Sequence, residues 1–171
     1  MGANTSTGSE VRIALDGLRR IVQSLRVSAR AAERQHGISG AQLFVLQQLA
    51  EDGPHSVGSL AARTFTHQSS VSAVVSRLAE RGLVRRRDAA DDARRTEVAL
   101  TARGRALLRR APEAAQARLI AGLQRMTPHQ RRAVANGLAA LVLAMGLRGQ
   151  PPALFFEERA RKPVRITGRD A

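Results

Sequence analysis

The sequence predicts a mainly α-helical chain carrying one small β-hairpin, and three observations lead there. Apolar residues recur every three or four positions through most of its 171 residues, the spacing of a helix with one buried face. That rhythm breaks once, between Gly82 and Thr101, where two short apolar runs flank a polar stretch. Turn and cap residues punctuate the chain at each change of rhythm, at Gly37, Ser39, Gly53-Pro54, Ser56, Gly82, Thr101, Thr127 and Gly146.

Residues 1–9 are small and polar and are expected to be disordered. A long helix follows. Val11, Leu15, Leu18, Val22, Leu25, Ala29 and Ala32 step by alternating fours and threes, the seam of a helix that packs along another. Ile13 and Ile21 lie off that seam, so a second face is apolar too. Gly37-Ile38-Ser39 ends this helix and Ser39 caps the next, whose Leu43, Phe44, Leu46, Leu49 and Ala50 continue the core to a turn at Asp52-Gly53-Pro54. Ser56 caps a short helix with Val57, Leu60 and Ala61 inward, ending near Thr64. Another runs from about Gln68 to Arg81, with Val71, Val74, Val75 and Leu78 on its buried face and Thr66 or His67 as its cap. Gly82 stops it. Leu83-Val84 and Val98–Leu100 then read as strands joined through residues 88–93. After Thr101, a helix carrying Leu107, Leu108, Ala111, Ala115, Leu119, Ile120 and Leu123 is expected to kink at Pro112, because the apolar pattern continues in register. Thr127-Pro128 opens the last helix, with Val134, Leu138, Leu141, Val142 and Met145 inward, and Gly146 closes it.

Composition narrows the partners. Lys+Arg of 28 against Asp+Glu of 14 leaves +14, which favours a polyanion. The chain has no cysteine, so it has no disulfide framework, thiolate metal site or thiol redox sensor. His36, His55, His67 and His129 are scattered, with no partner at ligand spacing, and neither metal nor cofactor is expected. No glycine-rich phosphate loop, activated nucleophile or close carboxylate pair points to an enzyme. The N-terminus lacks the order of a secretory signal, and the apolar run from Leu138 to Met145 is too short to span a bilayer. A cytoplasmic location is expected. Met1-Gly2 with Ser6 matches the loose myristoylation pattern, which is too short to carry weight.

Two short helices, a polar turn and a basic hairpin over residues 56–101 follow the plan of a winged helix-turn-helix. The outer face of the second helix is made of short, mostly hydrogen-bonding residues, including Gln68, Ser69, Ser70, Ser72, Ala73 and Ser76. A merely solvated helix would carry Lys and Glu. Short side chains let a helix lie close to base edges in the major groove, so Gln68, Ser69, Ser70 and Ser72 are candidate DNA contacts; their alternative is simple capping by serines. Arg77 would reach a flanking phosphate. Arg85, Arg86 and Arg87 cannot all face one backbone, because neighbours on a strand point to opposite sides; Arg86 is the candidate carried forward. At the wing tip, Asp92 can brace Arg94 for entry into a narrow minor groove, with Arg95 beside it. The plain alternative is an exposed ion pair of little worth.

One stretch resembles the MarR family of bacterial transcription regulators: Leu78-Ala79-Glu80-Arg81-Gly82-Leu83-Val84-Arg85-Arg86, then Asp92-Ala93-Arg94, then Val98-Ala99-Leu100-Thr101-Ala102-Arg103-Gly104. It is similar to the family's recognition-helix end, glycine-initiated wing strand, D-x-R wing tip and L-T-x-x-G helix start. Two departures stand out. Ala93 sits where the family often has a basic residue, and Ala89-Ala90 replaces a proline-containing turn. The resemblance covers about residues 10–146. It implies a triangular homodimer of winged lobes (about 40–101) joined by terminal helices (10–36 and 102–146), reading a palindromic operator in double-stranded DNA; beyond the resemblance, residues 147–171 read as a basic tail from their arginine content. It also implies a small-molecule pocket between the dimer helices and each lobe. Arg19, Arg26, Arg30 and His36 on the first helix, with Phe44 on the second, are candidates to meet an anionic or aromatic effector there; equally they are solvated arginines and a core phenylalanine. The function expected is a homodimeric repressor released by such an effector. The alternatives are an architectural or weakly specific DNA-binding protein without a ligand, or a protein-interaction module in which Phe155-Phe156 of the tail dock on a partner.

Overall fold

A computed structural model describes residues 3–89 and 96–149. Seven helices and one antiparallel hairpin make up these residues: α1 (Ala3–His36), α2 (Gly40–Glu51), α3 (Val57–Arg63), α4 (Gln68–Glu80), β1 (Val84–Asp88), β2 (Thr96–Leu100), α5 (Ala102–Leu108), α6 (Ala115–Arg125) and α7 (Pro128–Ala144). The core lies in the middle of the chain. Phe44, Leu43, Leu46 and Val45 of α2 pack with Leu60 of α3, with Val71, Val74, Val75 and Leu78 of α4, and with Val98 of β2. Eight of the twelve residues of α2 are buried, so this helix is the axis on which the lobe is assembled.

The caps read from sequence at Ser39, Ser56 and Thr127 hold in detail. Ser39 and Gln42 form a reciprocal capping box on α2, and Thr127 and Gln130 form another on α7, with Pro128 in its first turn. The Ser56 hydroxyl accepts a hydrogen bond from Ser59 N–H at the start of α3. Two differences appear at the ends. Helix α1 begins at Ala3, so residues 3–9, expected to be disordered, are helical; once a helix is nucleated, each further residue adds a hydrogen bond at small cost, and weak formers can join it. The hairpin strands are five residues each, longer than the two short apolar runs, because the arginines of β1 find room on its exposed positions.

The larger difference is at Pro112. The chain does not kink there; α5 ends at Leu108 and α6 starts at Ala115. Proline cannot donate, and it biases the residue before it away from helical backbone. Partners distant in sequence then stabilise the break. Gln47 Nε2 donates to Pro112 O (2.8 Å), while Ala114 N–H donates to Gln47 Oε1 (2.9 Å). Ala115 N–H donates to Ser28 Oγ (3.1 Å). One amide of α2 and one hydroxyl of α1 thus cap a helix whose own cap residue, Ala114, has no side-chain acceptor.

At the other end of the lobe, Gly82 (φ 66°) sits where a left-handed residue must reverse the chain. Gly82 N–H donates to Ala79 O (2.8 Å) and Leu83 N–H to Leu78 O (2.9 Å), the paired bonds of a Schellman cap. Leu78 and Leu83 are both buried beside it. The Leu83 carbonyl is used again: it accepts from Thr101 N–H at 3.1 Å, and the Thr101 hydroxyl donates to the Gly82 carbonyl at 2.7 Å with Leu83 O 3.1 Å away. Thr101 Oγ1 also accepts from Gly104 N–H to cap α5. A Cβ on Gly104 would lie 2.2 Å from the Leu83 carbonyl oxygen. The leucine-threonine-x-x-glycine run is therefore one joint that fixes the wing, the end of α4 and the start of α5 together.

Candidate nucleic-acid interface

Helix α4 carries Val71, Val74, Val75 and Leu78 into the core, and helical geometry turns Ser69, Ala73 and Ser76 to the opposite side. Gln68 and Ser69 are exposed, while Ser70, Ser72, Ser76 and Arg77 are half-buried. Ser69 is thus the most directly outward of the expected contacts. Gln68 leans toward the start of α3, its Oε1 3.8 Å from where a Gly58 Cβ would stand. Ser76, not among the candidates carried forward, shares the outward face with Ser69, and the same helical periodicity identifies it.

His67 occupies the cap position of α4, but its side chain makes no capping hydrogen bond. The expectation that Thr66 or His67 would cap is met in position only. The imidazole turns outward and leaves the first-turn N–H groups of Gln68 and Ser69 without a capping side chain, the arrangement that favours an anion such as phosphate.

The hairpin separates the three arginines. Val84 pairs with Leu100 and Arg86 with Val98, so Arg86 lies in the row of the sheet that packs on the lobe, beyond the edge of the core where it stays exposed. Arg85 and Arg87 occupy the other row. Arg87 Nη2 donates to Glu97 Oε2 at 3.3 Å, and both arginines join Arg105 around an open hollow of about 570 Å³ beside Gly53-Pro54. A third chain segment pairs with the wing: His55 N–H donates to Val98 O (3.1 Å) and Val98 N–H to His55 O (2.8 Å). Asp92, Arg94 and Arg95 lie outside the described residues.

The candidate effector residues are not brought together. Arg19, Arg26 and Arg30 recur on one exposed face of α1, turned away from buried Leu25 and Ala32. His36 ends α1 half-buried, its Nε2 without a partner among the described residues. Phe44 is buried to 1% exposure and forms part of the wall of a cavity of about 370 Å³ between α2, the end of α3 and α6. No arginine of α1 borders that cavity. Glu51 and Glu113 do, with Arg63, Phe65 and Ile120, because the helical phase of α1 that buries Leu25 carries its arginines to the far side.

Comparison with known proteins gives this geometry a family. The family model described as MarR family matches residues 36–95, from the end of α1 past β1 to just before β2. An uncharacterized HTH-type transcriptional regulator of Mycobacterium leprae is 31% identical over 137 residues, covering 80% of this chain and 94% of its own length. The chain belongs to the MarR family. It is a DNA-binding transcription regulator of the helix-turn-helix type, and the MarR family is one of regulators rather than enzymes. Among solved structures, the transcriptional regulator BldR of Sulfolobus solfataricus has the same fold, with a TM-score of 0.53 at 24% identity over 80% of this chain and 96% of that one. Bordetella bronchiseptica BpsR, solved in a study of how 6-hydroxynicotinic acid regulates its DNA binding, is 27% identical with a TM-score of 0.50, over 72% of this chain and 89% of that one. Among the described residues, no helix of this MarR-family chain is long and apolar enough to cross a membrane.

Proposed function

We propose that the protein is a homodimeric, sequence-specific repressor that binds a palindromic operator in the bacterial cytoplasm and is released by a small aromatic effector. The single observation that carries the DNA part is the outward face of α4: Ser69, Ala73 and Ser76 in line, ahead of them an uncapped first turn, and beside them the basic strand of the wing. Short side chains set the distance to base edges, and arginines supply affinity through phosphate. In this reading Gln68, Ser69, Ser70, Ser72 and Ser76 contact the major groove, Arg77 and Arg86 the backbone, and Arg94, braced by Asp92 and flanked by Arg95, the minor groove.

Apolar surface supports the dimer. Helix α7 buries none of its side chains within the chain, yet displays Leu138, Leu141, Val142, Leu143 and Met145; α1 displays Val11, Ile13, Leu15, Ile21 and Val22. Two such helices leave more apolar area in water than a monomer tolerates, and a second copy covers it while setting two α4 helices at the spacing of paired half-sites. Residues 40–101 are then the reading lobe, with residues 10–36 and 102–146 the dimerisation layer. The control of BpsR by 6-hydroxynicotinic acid, together with the cavity between α6 and the lobe, supports an effector-responsive protein over a purely architectural one.

The test is selection of bound fragments from random DNA, followed by competition. A specific regulator prefers its selected palindrome over random sequence by roughly a thousandfold, with a stoichiometry of two chains per site. A preference below about tenfold at physiological salt would instead make the protein a weakly specific one.

A further inference from the structure

The cavity behind the helix-turn-helix has a charge opposite to that of the chain as a whole. Its wall combines Phe44, Ala117 and Ile120 with the carboxylates of Glu51 and Glu113, in a protein of net charge +14. The one arginine at its edge, Arg63, pairs through Nη2 with Asp52, while its Nε has no partner among the described residues. Glu51 accepts only from the neutral amide of Gln48 (3.2 Å). Among the described residues, neither Glu51 nor Glu113 has a cationic partner.

The rim holds a second anomaly. Phe65, in the turn between α3 and α4, is 71% exposed and adopts φ 51°. A bulky side chain in the left-handed region is strained, and an exposed phenylalanine forgoes the burial that would offset it. Both costs fall on the residue that borders the acidic cavity and lies three positions before the recognition helix. A ligand that covers this ring supplies the missing burial.

We propose that the cavity binds a cationic aromatic molecule, a planar ring system bearing a quaternary or protonated nitrogen. Glu51 and Glu113 attract the charge, the exposed ring of Phe65 offers aromatic surface for cation–π contact, and Ala117 and Ile120 meet the apolar body. The volume of about 370 Å³ falls within the range of small-molecule sites. Because the wall spans α6 and the turn before α4, occupancy ties the dimerisation layer to the start of the recognition helix and changes its setting on DNA. This inference rests on the effector-released reading above and specifies the effector's charge.

The experiment uses three probes of matched shape with the full-length protein: N-methylquinolinium (cation), 1-naphthol (neutral) and 1-naphthoate (anion). Calorimetry measures binding, and anisotropy of a labelled selected operator measures release. N-methylquinolinium is expected to bind about tenfold or more tightly than 1-naphthoate, the equivalent of about 1.4 kcal/mol, and to release the operator. Glu51→Gln with Glu113→Gln should abolish that preference while leaving 1-naphthol binding within about twofold, a selectivity that misfolding would not produce. Phe65→Ala should weaken the cation and uncouple it from release. Equal or tighter binding of 1-naphthoate overturns the charge assignment, and failure of all three probes to bind overturns the site. Operator binding without any probe reports separately on the regulator reading: its loss in the unaltered protein would overturn that reading, whatever calorimetry gives.

Discussion

Replacing Gly104 by alanine puts the joint between the recognition helix, the wing and α5 to the test. The new Cβ would stand 2.2 Å from the Leu83 carbonyl oxygen and 3.2 Å from Leu100 Cδ2. To pass from 2.2 Å to the 3.0 Å floor of real Cβ contacts, the two groups must separate by about 0.8 Å. That carbonyl accepts from Thr101 N–H at 3.1 Å, while the Thr101 hydroxyl proton is held mainly by the nearer Gly82 carbonyl at 2.7 Å, and a displacement of this size takes the N–H bond past the limit of useful geometry. The lost bond costs about 0.5–1.5 kcal/mol, and forcing a methyl into a packed joint adds about 1–3 kcal/mol. The expected loss is therefore about 1.5–4.5 kcal/mol by the same principles, read as a lower urea midpoint at unchanged slope. Gly122→Ala is the control: no atom lies within 4 Å of its Cβ, and alanine in a helix interior is worth up to about 1 kcal/mol over glycine. If Gly104→Ala were as stable as the unaltered protein, the joint would be more compliant than argued, and the placement of the wing would need another cause.

Four further outcomes are expected. Leu141→Glu on the exposed face of α7 should halve the mass measured by light scattering, and an unchanged mass at micromolar concentration would remove α7 from the dimer layer. Arg94→Ala should weaken operator binding at least tenfold without changing that mass, while Arg86→Ala should reduce the salt slope of binding by about one. Ser69→Ala and Ser76→Ala should alter the sequence selected from random DNA more than the salt dependence; an unaltered selection would show that this face does not read bases. Gln47→Ala deletes a donor to Pro112 O and an acceptor for Ala114 N–H, so it should cost about 1–3 kcal/mol in denaturant while the selected DNA sequence stays the same.

Local chemistry was legible in the sequence; distant chemistry was not. The boundaries of α2, α3, α4 and α7 follow from Ser39, Ser56, Gly82 and Thr127, residues that act within four positions of themselves. The outward face of α4 follows from its own periodicity in the same way. Pro112 defeated the reading because apolar spacing continues across it, whereas the groups that stabilise a break there come from Gln47 and Ser28. The arginines of α1 looked eligible for a pocket since nothing in a heptad tells which way the helix turns against α2. Phe65 carries no local signal at all. A phenylalanine between two helices reads as core, and only its φ and exposure separate it from Phe44.

Helix α4 is held at its C-terminal end by groups outside the helix-turn-helix and left uncapped at its N-terminal end, which bears on how any signal reaches DNA. At its C-terminal end, Arg81 Nη1 donates to the Gly37 carbonyl at the end of α1, while Gly82 and Leu83 lock the helix to Thr101 and so to α5. At its N-terminal end the strained turn at Phe65 borders a cavity whose opposite wall is α6. Rotation of α1 against the lobe must either carry Arg81 along or break its bond. The Schellman cap and the Gly104 contact make the C-terminal end the stiffer of the two, since moving it disturbs a packed, hydrogen-bonded carbonyl. The N-terminal end has an uncapped first turn and an exposed ring. On the proposed reading, a ligand between α6 and Phe65 would act on the more compliant end, where Gln68 and Ser69 are proposed to meet the groove. Release from DNA would then require only that the first turn of α4 tilt away from the bases while the wing stays in place.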